Sequence, residues 1–106
     1  MIAMAENASE PILKSLDQLI PTLEALYKEV HAHPELSMQE TQTAYLAAGR
    51  LRAAGYDVTT GIGKTGVVGL LRNGDGPTVM LRADMDALPV EGATGLDYAS
   101  KVRVKD

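Results

Sequence analysis

Apolar positions recur at helical spacing through the first half of the chain and as short β-branched runs through the second. Pro11 suits the first turn of a short helix, where its missing N–H costs nothing. Ile12, Leu13, Leu16, Leu19 and Ile20 keep that helical spacing. Pro21 interrupts it, and a new helix is expected to restart there. Leu23, Leu26, Tyr27 and Val30 form its stripe, with Glu24 and Lys28 as an i,i+4 pair on the outer face. This helix should end at His31–His33, because the residue before Pro34 is pushed out of the α region. Ser37-Met-Gln-Glu40 reads as a capping box that opens a third helix. Ala44, Ala47, Ala48, Leu51 and Ala54 make a narrow stripe of small residues that lets this helix lie close to a sheet. Arg50 and Arg52 fall in its last turns, where cations suit the dipole, and Gly55 stops it.

The period then shortens. Tyr56–Thr60 reads as a strand, Gly61–Gly66 as a glycine-rich turn, and Val67–Leu71 as a second strand. Arg72-Asn-Gly-Asp-Gly-Pro77 is rich in residues that accept positive φ, so Val67–Arg72 and Thr78–Arg82 are expected to form a hairpin. Val79–Leu81 has the unbroken apolar character of a central strand buried on both faces. Pro89 ends any ladder, Val90–Ser100 is a loop by composition, and Lys101–Asp106 alternates like a half-exposed strand. Helix, helix, strand and hairpin make an α/β layer with the helices on one face.

Composition narrows the classes. At 106 residues the chain suits one small domain, and 45% hydrophobic content is enough to fold. It has no Phe, no Trp and four Tyr, so any core is built from aliphatic residues and Met. The net charge of −4 argues against nucleic acid or an anionic membrane as partner. Without cysteine there are neither disulfides nor thiolate metal sites, which fits a cytoplasmic location. No apolar run reaches bilayer length, and the start lacks the basic and long apolar regions of a signal peptide. Residues 1–10 are expected to be unstructured, and the sequon Asn7-Ala-Ser9 is read as chance.

Three stretches carry candidate chemistry. The apolar run at Val79–Leu81 gives way to Arg82, Asp84 and Asp86 in alternation. Ligands bind at the carboxyl ends of strands in open α/β sheets, and alternation puts Asp84 and Asp86 on one side. Two like charges so close need a cation, a proton or solvent between them. A bare D-x-D also reads as a solvated turn. His31-Ala-His33 offers two imidazoles to a metal, but a helix end explains them better, since His there satisfies the last carbonyls. Gly61-Ile-Gly-Lys-Thr-Gly66 imitates a phosphate loop, yet Val58 stands where a P-loop needs glycine, and a strand rather than a helix follows.

The wording of these stretches is more specific than their spacing. Leu81-Arg-Ala-Asp-Met-Asp-Ala-Leu-Pro89 resembles the signature of the metal-dependent amidohydrolases that include hippurate hydrolases, N-acyl-amino-acid amidohydrolases and auxin-conjugate hydrolases. This family belongs to the aminoacylase–carboxypeptidase superfamily of zinc peptidases. His31-Ala-His-Pro-Glu-Leu-Ser37 and Gly61–Val68 resemble two further stretches of it, in the same order. The likeness runs from about Leu23 to Asp106, with two departures: Gly92 where the family carries an acidic residue, and Asp97 where it carries Pro.

The resemblance implies that residues 1–106 are the N-terminal portion of a zinc-peptidase-like catalytic domain, two or three helices on a partial mixed sheet with a β-hairpin. It implies an N-acyl amino acid as substrate and a divalent metal, zinc or manganese, in the full-length family. The family's metal ligands and general base lie in later segments, a Cys-Gly-His-Asp stretch, a Glu-Glu pair and further histidines. No metal and no hydrolytic activity are therefore expected of these residues alone. Asp86 corresponds to the aspartate that orients a metal ligand from behind, and Asp84 to a local polar partner, with Arg82 set to pair with one of them. The alternative is a non-catalytic interaction module that associates with itself or a longer homologue through an exposed sheet edge.

Overall fold

The computed structural model describes residues 10–103. The expected unstructured start lies outside them, apart from Glu10, where the first helix begins. Three helices, α1 (Glu10–Leu13), α2 (Leu16–Ala32) and α3 (Thr41–Ala53), precede two strands, β1 (Asp57–Ile62) and β2 (Gly66–Leu70). The result is the expected α/β arrangement, with a partial sheet that consists of one antiparallel hairpin.

Pro11 sits in the first turn of α1 as expected. At Pro21 the expected break does not occur, and α2 runs through it for 17 residues. The reason is phase: Leu16, Leu19, Ile20, Leu23, Tyr27 and Val30 form one i,i+3/i,i+4 series across the proline, so one stripe is kept at the loss of one backbone bond. The helix ends at Ala32, with His33 as its cap.

The cap of α3 falls three residues later than expected. Met38 takes a left-handed conformation (φ 65°), α3 begins at Thr41, and Glu40 rather than Ser37 holds the cap position. The other end of α3 is a Schellman turn around Gly55 (φ 90°), with the Gly55 amide donating to the Arg52 carbonyl and the Tyr56 amide to the Leu51 carbonyl, both at 3.0 Å. Ala48, 1% exposed, is the buried point of the small-residue stripe where α3 crosses both strands. Gly69 faces it: a Cβ there would stand 3.1 Å from a Leu51 methyl.

The hairpin forms one strand earlier than expected. β1 pairs with β2, in register from Asp57 opposite Leu70 to Thr60 opposite Val67, and a bulge at Gly61 carries the chain into the turn. Thr78–Arg82 forms no strand, and Lys101–Arg103 forms none either, while 104–106 lie outside the described residues. Val79, Met80 and Leu81 are 82%, 84% and 95% exposed, not buried on two faces. A central strand needs a ladder on each side, and no described segment offers Thr78–Arg82 one.

The fold is therefore open. Its radius of gyration is 17.4 Å, against about 13 Å for a compact domain of this length. Its accessible surface is 9267 Å², against about 5,700 Å² for a closed globule of this mass. Ala48 is the one buried apolar side chain among the described residues, whereas Glu40, Thr43 and Ser100 are buried polar ones. What joins the elements at their centre is a set of hydrogen bonds.

Candidate functional site

Two glutamates organise the junction of helix, turn and aspartate stretch. Glu35, held between Pro34 and the turn at Leu36–Gln39, points its carboxylate at the start of α3. Its Oε2 accepts the Gln42 amide at 3.0 Å, and its Oε1 accepts the Thr43 amide and the Thr43 hydroxyl, both at 2.7 Å. The first turn of a helix has unpaired N–H groups and a positive dipole end, so a carboxylate here satisfies both. Burial pushes the Glu35 carboxyl upward, but the bonds from Gln42, Thr43 and Thr41 outweigh it and hold the group below its ordinary value. Glu40 accepts the Thr65 hydroxyl at 2.6 Å through Oε2 and the Met38 amide at 2.9 Å through Oε1. The Thr65 bond is the main reason its carboxyl is also lowered.

The aspartate stretch meets this junction by its backbone. The Ala87 amide donates to the Glu35 carbonyl at 2.8 Å. Met85 and Ala87 are half-buried, and Asp84 and Asp86 are exposed, so burial alternates along the stretch although it forms no strand. Arg82 Nη2 reaches Asp84 Oδ1 at 2.6 Å, which identifies its partner of the two aspartates.

The two histidines part company. His33 Nδ1 lies 2.9 Å from the Glu29 carbonyl, the helix-end contact expected of it. His31 faces Tyr27, with ring centres 5.8 Å apart, and meets Tyr98 edge-on at 5.5 Å. Lys28 Nζ stands 5.4 Å from the centre of the Tyr98 ring. This cluster ties the loop after Pro89 to α2. In the same loop, a Cβ on Gly92 would stand 3.2 Å from the Ser100 backbone, so an acidic side chain there would require Ser100 to move.

Among the described residues, no three of His, Cys, Asp and Glu come together as a metal site. Asp84 and Asp86 supply carboxylate oxygens, Asp84 is engaged by Arg82, and this donor set alone does not fit a hydrolytic metal. The Gly61–Gly66 turn links antiparallel strands with no helix after it, so the phosphate-loop reading has no structural footing. Glu35 was not among the residues that sequence reasoning singled out. Its signal was an acid several residues ahead of a helix start, overshadowed by the Ser37–Glu40 box.

In sequence, the chain that carries this D-x-D stretch and His-Pro-Glu turn is similar to a group of known hydrolases. The chain is 51% identical over 92 residues to a Synechocystis protein named "Probable hydrolase", covering 84% of this chain and 23% of the relative. It is 48% identical over 79 residues to the hippurate hydrolase of Campylobacter jejuni, covering 74% and 21%. It is 37% identical over 101 residues to the N-acetyl-L-cysteine deacetylase of Bacillus subtilis, covering 94% and 24%. The chain belongs to this amidohydrolase family and matches the N-terminal part of its longer members. It spans about a quarter or less of the length of these relatives. No family model matches it, and no solved structure does. No helix among the described residues is long and apolar enough to cross a membrane.

Proposed function

We propose that these residues form the front of a metal-dependent amidohydrolase that cleaves N-acyl amino acids of the hippurate kind, and that they hydrolyse nothing by themselves. The observation that carries this is the 48% identity to the hippurate hydrolase over 79 residues, in a chain where the Glu35 and Glu40 bonds join the His-Pro-Glu turn, the Gly61–Gly66 turn and the aspartate stretch. A divalent metal, held by segments of the family's longer members outside these residues, would supply Lewis-acid activation of the amide carbonyl and of water. Asp86 would orient one of that metal's ligands from behind, which would fix that ligand's tautomer and basicity. Asp84, paired with Arg82, is a local polar partner beside Asp86. The lack of cysteine supports a cytoplasmic setting.

The test is a chimera. Residues 23–106 of this chain replace the matching segment of the Campylobacter hippurate hydrolase, and glycine release from hippurate is followed with and without a chelator. The chimera is expected to be active and chelator-sensitive. Asp86→Ala is expected to lower its activity about 10–100-fold, the usual effect of removing a ligand's orienting partner. An Asp86→Ala chimera of full activity would refute the role, and chelator-sensitive hydrolysis by the 106-residue chain alone would refute the inactivity.

A second reading is favoured by the exposure of Val79, Met80 and Leu81. In it the chain is a non-catalytic interaction module whose apolar run pairs with a second copy or a longer homologue.

A further inference from the structure

We infer that Glu35 is a positioning residue for the Asp84–Asp86 stretch, a latch that sets the direction of Asp86 from the first turn of α3. The inference rests on the role proposed for Asp86, and it names what places that residue.

The stretch has no regular structure to hold it. No residue from Thr78 to Pro89 lies in a helix or a strand. Within it, the Ala87 amide makes the one backbone bond that reaches a carbonyl elsewhere in the described chain, and that carbonyl is Glu35's. The peptide unit between Asp86 and Ala87 is planar, so aiming the Ala87 N–H also aims the carbonyl and Cα of Asp86. A bond of 2.8 Å therefore fixes the residue just before it.

A latch works only if its post is firm, and Glu35 is held at its other end. Three bonds, from the Gln42 amide and from the amide and hydroxyl of Thr43, anchor its carboxylate to α3. Thr43 is itself buried, 9% exposed. One residue thus bonds the helix through its side chain and the aspartate stretch through its backbone. Met85 and Ala87 are half-buried, and Asp84 and Asp86 are exposed to solvent.

Amide exchange measured by NMR on the 106-residue chain reads the latch directly. The Ala87 amide is expected to exchange about tenfold or more slowly than the amides of Asp86 and Leu88. In Glu35→Gln, which loses the carboxylate that accepts Gln42, Ala87 is expected to fall to its neighbours' rate while the amides of Ala48–Arg52 stay protected. A capping role alone would loosen the first turn of α3 and leave Ala87 unchanged, and that result overturns the inference. So does a wild-type Ala87 amide that exchanges as fast as its neighbours.

Replacing the Ala87 amide by an ester removes the donor and leaves Glu35 and its cap untouched. The ester is expected to shift the Glu35 carbonyl resonance, which loses its donor, and the Asp84 carboxyl resonance, and to spare those of Gln42 and Thr43. Unmoved Glu35 carbonyl and Asp84 carboxyl resonances would overturn the latch even if Glu35→Gln unfolds. In the hippurate hydrolase chimera, Glu35→Gln is expected to lower kcat and leave KM in place. An inactive chimera together with a protected Ala87 amide would refute the amidohydrolase reading and keep the latch.

Discussion

Glu40 and Thr65 stand 25 residues apart in sequence and meet in a 2.6 Å hydrogen bond. That contact fastens the Gly61–Gly66 turn to the start of α3, in a chain whose buried centre is more polar than apolar. Glu40 retains 6% of its exposure, so its carboxylate has little water to fall back on. Thr65→Val removes the donor without changing the shape. It is expected to lower the melting temperature by several degrees and to bring the Glu40 carboxyl back toward its ordinary value, read by carbon NMR. Thr65→Ser keeps the donor and should behave as wild type. Equal melting of the valine and serine variants would show that the bond adds nothing.

Acid should loosen the same junction. Glu35 and Glu40 both titrate below their ordinary value of 4.5 in the folded chain. A carboxyl whose folded value is depressed gives stability that is complete above the unfolded value and lost as pH falls through the folded one. Thermal unfolding is therefore expected to be flat from pH 7 to about 5 and to weaken steadily below about 4.5. Glu35→Gln removes part of that slope and, as the loss of a helix cap, costs about 1 kcal/mol at neutral pH. A variant with the wild-type acid slope would contradict this account.

Glycines in the hairpin should rank by what a side chain would meet. A Cβ on Gly66 would sit inside contact distance of the Ile62 carbonyl oxygen, which is backbone and cannot step aside. A Cβ on Gly69 would meet the tip of Leu51 at 3.1 Å, which can rotate away. Gly66→Ala is expected to cost about 1–3 kcal/mol, as overpacking does, and Gly69→Ala less. Urea titration of the two variants orders them, and the reverse order would mean that the hairpin yields at the turn.

Local rules recovered much of this fold. The end of α2 at Ala32, ahead of Pro34, the stop at Gly55 and the turn at Gly61–Gly66 each follow from one or two residues whose backbone preferences suffice. The likeness to amidohydrolases was legible for a related reason, because Leu81–Pro89 is a continuous string of residues. Three features were not legible. The helix runs through Pro21 because its stripe keeps phase, and a pattern broken into two windows hides that continuity. The run at Val79–Leu81 has the composition of a buried strand, but burial depends on partners, and composition says nothing of where those lie. Glu35 acts on Gln42 and Thr43, seven and eight residues ahead, and on Ala87 by its backbone, which no side-chain pattern encodes.

The two aspartates should separate under mutation. Arg82 and Asp84 keep 76% and 65% of their side-chain exposure, so their ion pair is screened and is worth about 0–1 kcal/mol at most. Arg82→Ala and Asp84→Asn are therefore expected to leave the melting temperature of the chain within a degree or two of wild type. In the hippurate hydrolase chimera, Asp84→Asn is expected to cost less activity than Asp86→Ala. Greater loss at Asp84 would transfer the orienting role from Asp86 to it.

The exposed run sets the last expectation. Burying Val79, Met80 and Leu81 against a partner offers roughly 5–9 kcal/mol before any cost, at about 1.5–3 kcal/mol for each side chain. Joining two molecules costs about 4–15 kcal/mol in lost freedom, so these side chains alone cannot hold a tight pair. Self-association should be weak and reversible unless a backbone ladder forms along Thr78–Arg82 as well. Sedimentation of the wild-type chain over a wide concentration range is expected to show a rising average mass. Met80→Lys with Leu81→Glu should abolish the rise, because charge on an unpaired run blocks pairing. A wild-type chain that stays monomeric throughout would remove the interaction-module reading and leave the amidohydrolase reading standing alone.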